Sequence, residues 1–331
     1  MISRRQLMRT VAVGLPTAVL GGTVLQVSTA QARSGTTSIT AEGYEAQACA
    51  PGEGKIIQWG PANAPAVPEA GLSGVTAVSA GACANLYNLM LKDGRVTTWG
   101  NFNLQDPNQQ RLSRVPVAAT KDVTAIETAG RYSFALRDGG VIVWGGTRDG
   151  ELVLPEATES GVTAMAGANG GSSYGLFLKD GGVIQWRGFV AVPDEAKEGI
   201  VAISARQHAL ALREDGRVIT WGPDLPANLT VPAEAQSGVT AISAGPAFSL
   251  ALKNGAVIAW GNNEYGQLEV PYEAQSDVVA ISAGNGASMA LTAGGRIVVW
   301  AYNVYGQLDI PAEAHCGASA ISCGYVCMVV L

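Results

Sequence analysis

All seven tryptophans of this 331-residue chain close the same short apolar pattern, and this repetition limits the folds that are available. Each tryptophan ends a run of β-branched and apolar residues, and most are followed by glycine. Successive copies lie 35 to 45 residues apart, a spacing typical of propellers and solenoids. The copies end at Trp59, Trp99, Trp144, Trp186, Trp221, Trp260 and Trp300.

A second pattern, Val-Thr-Ala-Ile-Ser-Ala-Gly at residues 239–245, alternates with the tryptophan strand. Its copies begin at Val75, Val123, Val162, Ile200, Val239, Val278 and Ala318. Residues that tolerate positive φ separate the two patterns and favour tight hairpins; they are Asp93-Gly94, Asp138-Gly139, Asp180-Gly181, Asp215-Gly216, Asn254-Gly255 and Gly294-Gly295. Each unit is therefore predicted to be a small antiparallel sheet that buries its faces by stacking on its neighbours.

The two patterns are out of phase at the ends of the chain. The sequence starts with a lone tryptophan strand at residues 55–59 and ends with a lone first half at residues 318–331. Joining these pieces into one sheet would complete a seventh unit and remove free sheet edges. We therefore predict an all-β fold, a seven-bladed β-propeller over residues 53–331 that is closed by pairing of the N- and C-terminal strands, with residues 33–52 as a lead-in segment.

Residues 1–32 have the features of an export signal. Arg4-Arg5 precede an uncharged apolar run over residues 11–27, and Ala30-Gln-Ala32 resembles a cleavage site. The paired arginines resemble a twin-arginine signal, although Leu7, where that signal has phenylalanine, leaves a Sec route open. A membrane anchor is the alternative, but the run is short and is interrupted by glycine and proline. We expect a secreted, extracellular protein.

Removing this signal would take away three arginines and no acid, which changes the formal charge from −6 to −9. An acidic surface without basic clusters argues against binding to nucleic acid or anionic lipid. We therefore expect no nucleic-acid partner and no membrane association after signal removal. We also expect a monomer.

The five cysteines lie near the two ends of the chain, which the predicted ring brings together. An odd number in an exported protein leaves at least one cysteine unpaired or in an intermolecular bond. We hypothesise that one or two disulfides staple the closing seam, with scattered buried thiols as the alternative. The cysteines are Cys49, Cys83, Cys316, Cys323 and Cys327.

Residues that usually carry catalysis or bind metals are sparse. His208 and His315 fall in different units, and the sequence has no nucleophile elbow, phosphate-binding loop or metal-ligand spacing. The glycine-rich stretch at residues 167–171 precedes no predicted helix, so we interpret it as a widened loop. We predict no catalytic residues, no cofactor and no metal site. A carboxylate pair across the central channel leaves a carbohydrate-active enzyme open as a less favoured reading.

Residues 242–267 contain Ile-Ser-Ala-Gly, Leu-Ala-Leu-Lys-Asn-Gly and Ile-Ala-Trp-Gly-Asn-Asn-Glu-Tyr-Gly-Gln, and they resemble the repeat of the regulator of chromosome condensation family. Members of that family form seven-bladed propellers. The string Val-Pro-Ala-Glu-Ala-Gln-Ser-Gly-Val at residues 231–239 looks like the type II β-lactamase inhibitory proteins, a secreted branch of the family.

This resemblance implies a protein inhibitor without catalytic residues. One face of the ring would clamp the loop and helix beside the active site of a class A β-lactamase and block it by steric occlusion. In that branch, aromatic and acidic residues in the loops after Ala-Gly and after Trp-Gly form the binding face. The corresponding candidates here are Tyr87, Phe102, Tyr132, Asp149, Tyr174, Asp224, Phe248, Asn263, Tyr302 and Tyr325. The alternative is a secreted propeller that binds a different protein or a cell-wall component.

Overall fold

The computed structural model describes residues 53–81, 87–146, 152–168, 174–188, 190–223, 225–324 and 326–331, together with a short hairpin of Ala18–Leu20 and Thr23–Leu25. Most of the predicted export signal and lead-in segment lies outside the described residues, as do Cys49 and Cys83. Within the described part of the chain, no helix is long and apolar enough to cross a membrane.

Seven three-stranded antiparallel sheets form the described propeller, which confirms the predicted number of blades. The first strands of neighbouring sheets contact one another all the way round the ring, so they are the inner strands, followed in each blade by a middle and an outer strand. In order, blades 1 to 7 comprise Val75–Ala80, Asn88–Lys92 and Arg95–Trp99; Val123–Ala129, Tyr132–Arg137 and Gly140–Gly145; Val162–Ala168, Tyr174–Lys179 and Gly182–Trp186; Ile200–Ala205, Ala209–Arg213 and Val218–Trp221; Val239–Ala244, Phe248–Lys253 and Ala256–Gly261; Val278–Ala283, Ala287–Thr292 and Ile297–Ala301; and Ala320–Cys323, Cys327–Val330 and Ile56–Trp59.

The hairpin turns between middle and outer strands use the backbone conformation that their residues favour. Both central residues have positive φ in four turns, at Asp93-Gly94, Asp138-Gly139, Asp180-Gly181 and Asn254-Gly255. In the turns of blades 4 and 6, only Gly216 and Gly295 have positive φ. Aspartate and asparagine accept this region more readily than most residues, so the turn residues fix the register of each hairpin.

Blade 7 is built from both ends of the chain, as predicted. Its middle strand, Cys327–Val330, pairs antiparallel with Ile56–Trp59. Gly54 N–H donates to Leu331 O at 2.6 Å, and Leu331 N–H donates to Lys55 O at 2.9 Å. The last residue of the chain is therefore held between two residues that precede the first propeller strand.

A belt of side-chain hydrogen bonds joins the inner strands of neighbouring blades. Ser243 Oγ accepts a bond from Ala283 N–H in the next blade at 2.9 Å. At the closing seam, Ser322 Oγ accepts from Ala80 N–H at the same distance. Blade 3 has Ala166 at the serine position, so it has no side-chain oxygen there to accept a bond from the next blade. The other acceptors and donors are Ser79 with Thr128, Glu127 with Gly167, Ser204 with Ala244, and Ser282 with Cys323.

The tryptophans lie at the boundaries between blades, where they pack against the preceding blade. The repeat predicts such a shared structural role. Trp59 Nε1–H donates to Gln307 O at 2.7 Å, and Trp300 Nε1–H donates to Gln267 O at 3.1 Å. Where the structure describes them, the connecting segments contain one α-helix, Pro107–Leu112, and 3₁₀ turns at Glu69–Leu72, Val117–Ala119, Glu156–Thr158, Asp194–Ala196, Ala227–Leu229, Ala233–Gln236, Tyr272–Ala274 and Ala312–Ala314. A proline precedes each of these 3₁₀ turns, and its carbonyl oxygen accepts the first hydrogen bond of the turn.

Cys323 and Cys327 lie opposite each other in the hairpin of blade 7. Both are buried free thiols, and their Sγ atoms are 3.2 Å apart. The hydrogen bond with Cys323, together with burial, raises the pKa of the Cys327 thiol. Cys316 is disulfide-bonded, and its partner lies outside the described residues. The hypothesis of a disulfide staple at the seam stays a prediction.

Candidate functional site

Two sets of loops come together on one face of the ring, which we call the upper face. In blade 5, Ala244 at the end of the inner strand pairs with Ser249 near the start of the middle strand. The outer strand ends at the same level, because Gly261 pairs with Phe248. The loops that follow inner strands and those that follow outer strands therefore share the upper face, and the Asp-Gly hairpin turns lie on the opposite, lower face.

The loops after the outer strands of blades 5 and 6 have closely similar structures. In the first loop, Asn263 Oδ1 accepts a bond from Leu268 N–H at 2.9 Å, and the buried Gln267 accepts one from Tyr265 N–H at 2.8 Å. In the second loop, Asn303 and Gln307 accept the equivalent bonds from Leu308 and Tyr305. Trp300 and Trp59 then hold the two glutamine carbonyls from the next blade along. Both loops are thus fixed by their own side chains and by a neighbouring blade.

These two loops present a cluster of three tyrosines. The rings of Tyr265 and Tyr302 are 4.7 Å apart at an interplanar angle of 66°, and those of Tyr302 and Tyr305 are 5.8 Å apart at 68°. Tyr265 is 48% exposed and Tyr305 is 45% exposed, next to Val304 at 70%. The cluster is therefore an apolar surface that remains open to solvent on the upper face.

A cleft of about 270 Å³ lies beside the cluster, between blades 5 and 6. Glu264 is its one carboxylate, and no lysine, arginine or histidine is among the described residues that line it. Asn262 and Asn285 add amide groups to its wall. The cleft combines aromatic rings, amides and one negative charge.

Four of the predicted partner-binding aromatics are buried inside the ring. Tyr87, Tyr132, Tyr174 and Phe248 occupy the same repeat position, at or just before the start of a middle strand, and are between 0% and 7% exposed. Tyr87 Oη donates to Tyr132 O of the next blade at 2.8 Å, and burial raises the pKa of the Tyr174 hydroxyl. These side chains seal the boundaries between blades, and any contact with a partner stays a prediction.

The remaining predicted residues have different environments. Phe102 is half-buried, with its ring centroid 6.3 Å from that of Tyr87. Asn263 is exposed but holds its own loop, as described above, and Tyr302 is the middle ring of the tyrosine cluster. Three further candidates lie outside the described residues: Asp149, Asp224 and Tyr325.

Sequence reasoning missed Tyr265 and Tyr305. Each is the fourth residue of the loop that follows an outer strand. The two loops read Asn-Asn-Glu-Tyr-Gly-Gln at residues 262–267 and Tyr-Asn-Val-Tyr-Gly-Gln at residues 302–307. The repeated Tyr-Gly-Gln is the signal that could have identified them. Glycine lets the loop turn with positive φ, and glutamine fixes the tyrosine backbone from inside.

Another aromatic group on the upper face already has a cation over it. Arg187 follows Trp186 at the position where five other blades have glycine, and its φ is +61°. Its guanidinium carbon lies 5.3 Å from the ring centroid of Tyr132 and 4.8 Å from that of Trp186. Such distances are those of a cation–π contact.

His208 takes the place that Phe248 has in the next blade. It is 2% exposed, and its Nε2 is 2.7 Å from Ser249 Oγ. Its Nδ1 has no hydrogen-bond partner within the described structure. Burial lowers the pKa of His208 from 6.5 to about 4. No group of three or more residues able to hold a metal ion occurs among the described residues.

Comparison with known proteins agrees with this architecture. The family model described as "Regulator of chromosome condensation (RCC1) repeat" matches residues 239–267. None of the curated proteins compared matches the chain. Prp20p from Saccharomyces cerevisiae is similar in structure, with a TM-score of 0.61 at 15% identity over 85% of this chain and 92% of that one.

Two further structures share the fold. Human WBSCR16 has a TM-score of 0.57 at 17% identity, covering 82% of this chain and 93% of that one. The CRINKLY ectodomain of the Arabidopsis thaliana receptor kinase ACR4 has a TM-score of 0.53 at 16% identity, covering 73% and 85% respectively. The chain is a seven-bladed propeller in which residues 239–267 match the repeat of the regulator of chromosome condensation family.

Proposed function

We propose that this protein is an exported, non-catalytic propeller that binds another protein through its upper face. The observation that carries the proposal is the exposed cluster of Tyr265, Tyr302 and Tyr305 on two fixed loops. Tyrosine is enriched at interfaces because it offers a large contact area with few rotatable bonds. Loops that are already ordered lose little entropy when a partner binds.

The similar structures support a binding role. Prp20p has been described by its binding to Gsp1p and histones, and yeast RCC1 has been crystallised with Kap60. Both descriptions are of the same yeast protein, Prp20, which binds other proteins, and this makes a protein partner the natural proposal for this chain.

For the partner, we propose a class A β-lactamase, inhibited by steric occlusion of its active site. The support is the resemblance of residues 231–239 to the type II β-lactamase inhibitory proteins and the aromatic upper face. An export signal at residues 1–32 would place the inhibitor where such an enzyme acts. The N-terminus of protein recovered from the medium should then follow Ala32, and an intact N-terminus there would contradict cleavage.

Nitrocefin hydrolysis by class A enzymes tests the inhibitory role. We expect the protein to slow hydrolysis at or below micromolar concentration, and Tyr265→Ala with Tyr305→Ala to weaken inhibition by at least about tenfold. Tyr272→Ala is the matched control, because this tyrosine is 84% exposed but precedes an inner strand on the lower-face side. Full hydrolysis rates at micromolar protein would exclude β-lactamase as the partner.

A further inference from the structure

The cleft between blades 5 and 6 has the composition of a site for a cation. Tyr265, Tyr302 and Tyr305 line it with aromatic rings, and Glu264 supplies a carboxylate. The negative π face of a tyrosine attracts a cation, and a nearby carboxylate adds an ion pair. No described residue that lines the cleft carries a positive charge that would satisfy either group.

Elsewhere in the propeller, a cation of the chain itself already lies against aromatic rings. Between blades 2 and 3, the guanidinium of Arg187 lies over the rings of Tyr132 and Trp186. Arg187 keeps a left-handed backbone that is unfavourable for a residue with a side chain, while holding this contact. Between blades 5 and 6, the equivalent position after the tryptophan is Ala301, which follows Trp300 and cannot supply a cation.

We propose that the cleft binds one lysine or arginine side chain, carried on a protruding loop of the partner. This inference rests on the proposed function, since it assumes that the upper face is the binding surface. The ammonium or guanidinium group contacts the tyrosine rings and pairs with Glu264, and the side-chain amides of Asn262 and Asn285 accept hydrogen bonds from it.

The ring geometry favours a cation over a sugar. The rings of neighbouring tyrosines are tilted by 66° and 68°, so they form the sides of a recess. A sugar ring, in contrast, stacks on one flat aromatic surface. The complementarity of charge points the same way, because a neutral sugar would leave Glu264 without a counter-charge.

Titration of the purified protein with N-acetyl-arginine amide tests the proposal, with the tyrosine ring signals followed by NMR. N-acetyl-citrulline amide has nearly the same shape without the charge, N-acetyl-lysine amide tests the second cation, and chitobiose tests a sugar. We expect saturable shifts at millimolar arginine or lysine amide, and binding of the citrulline amide weaker by at least about fivefold.

Two variants and one control connect these shifts with the cleft. Glu264→Gln and Tyr265→Leu should each weaken arginine amide binding several-fold, and Tyr272→Leu should leave it unchanged. Equal affinity for the charged and neutral amides, absence of saturation, or shifts with chitobiose alone would overturn the proposal. The titration uses no β-lactamase, so a failure of lactamase inhibition and a failure of cation binding remain distinguishable.

Discussion

Protonation of His208 should destabilise the propeller at mildly acidic pH. The imidazole is buried between blades 4 and 5, and burial lowers its pKa from 6.5 to about 4. The unfolded chain therefore takes up a proton at a higher pH than the folded protein does. Stability from this residue is complete above pH 6.5 and is lost as the pH falls towards 4. Linkage between these two pKa values gives a loss of about 2 kcal/mol at pH 5 and about 3 kcal/mol at pH 4.

Urea unfolding at pH 7.5 and pH 5 measures this loss for the protein and for two variants. His208→Phe matches the residue of the next blade, Phe248, and should remove about 2 kcal/mol of the difference between the two pH values. His315→Asn is the matched control, because His315 is the only other histidine and is exposed. The same pH dependence in His208→Phe as in the unaltered protein would refute the reasoning.

Three further predictions concern the ring itself. Ser243→Ala leaves the buried N–H of Ala283 without its acceptor and should cost about 1 to 3 kcal/mol of unfolding free energy in urea titration. Ala301→Gly should raise the unfolding free energy by about 1 kcal/mol, because Ala301 has φ +84° where most blades have glycine. Cys323 and Cys327 should resist iodoacetamide in the native protein and react after denaturation, because burial and a raised pKa keep Cys327 as a thiol.

Each of these three predictions has a control variant or an outcome that would contradict it. Ser237→Ala changes an exposed serine and should shift stability by no more than about 0.5 kcal/mol, so equal losses for Ser237 and Ser243 would contradict the belt. Ala233→Gly alters an exposed alanine in a 3₁₀ turn and should destabilise, opposite in sign to Ala301→Gly. Rapid labelling of Cys323 or Cys327 in the native protein would show that blade 7 opens readily.

The fold was predictable because every unit repeats the same local signals. In blade 5, Trp260 marks the end of the outer strand and Asn254-Gly255 marks the hairpin turn before it. Because similar signals recur in the other blades, the order of strands is strongly constrained. The unmatched halves at the two ends of the chain required closure, which the pairing of Cys327–Val330 with Ile56–Trp59 confirms. The serine belt was not predictable, since its partners lie about 40 residues apart and meet only in the closed ring.

The candidate site was only partly predictable. Tyr132, Tyr174 and Phe248 were assigned to the loops after Ala-Gly, but they are the first residues of middle strands. These middle strands are buried on both faces, so a residue that belongs to the strand and not to the loop before it packs between blades and does not reach solvent. Tyr265 and Tyr305 belong to irregular loops, where no periodicity indicates which side chains reach solvent.

Surface plasmon resonance of the protein against immobilised class A β-lactamase tests the upper-face account most directly. We predict saturable binding, weakened at least about tenfold by Tyr265→Ala and unchanged by Tyr272→Ala. Binding that both variants retain in full, or that Tyr272→Ala weakens as much as Tyr265→Ala does, would contradict an upper-face site, and no binding at all would contradict β-lactamase as the partner.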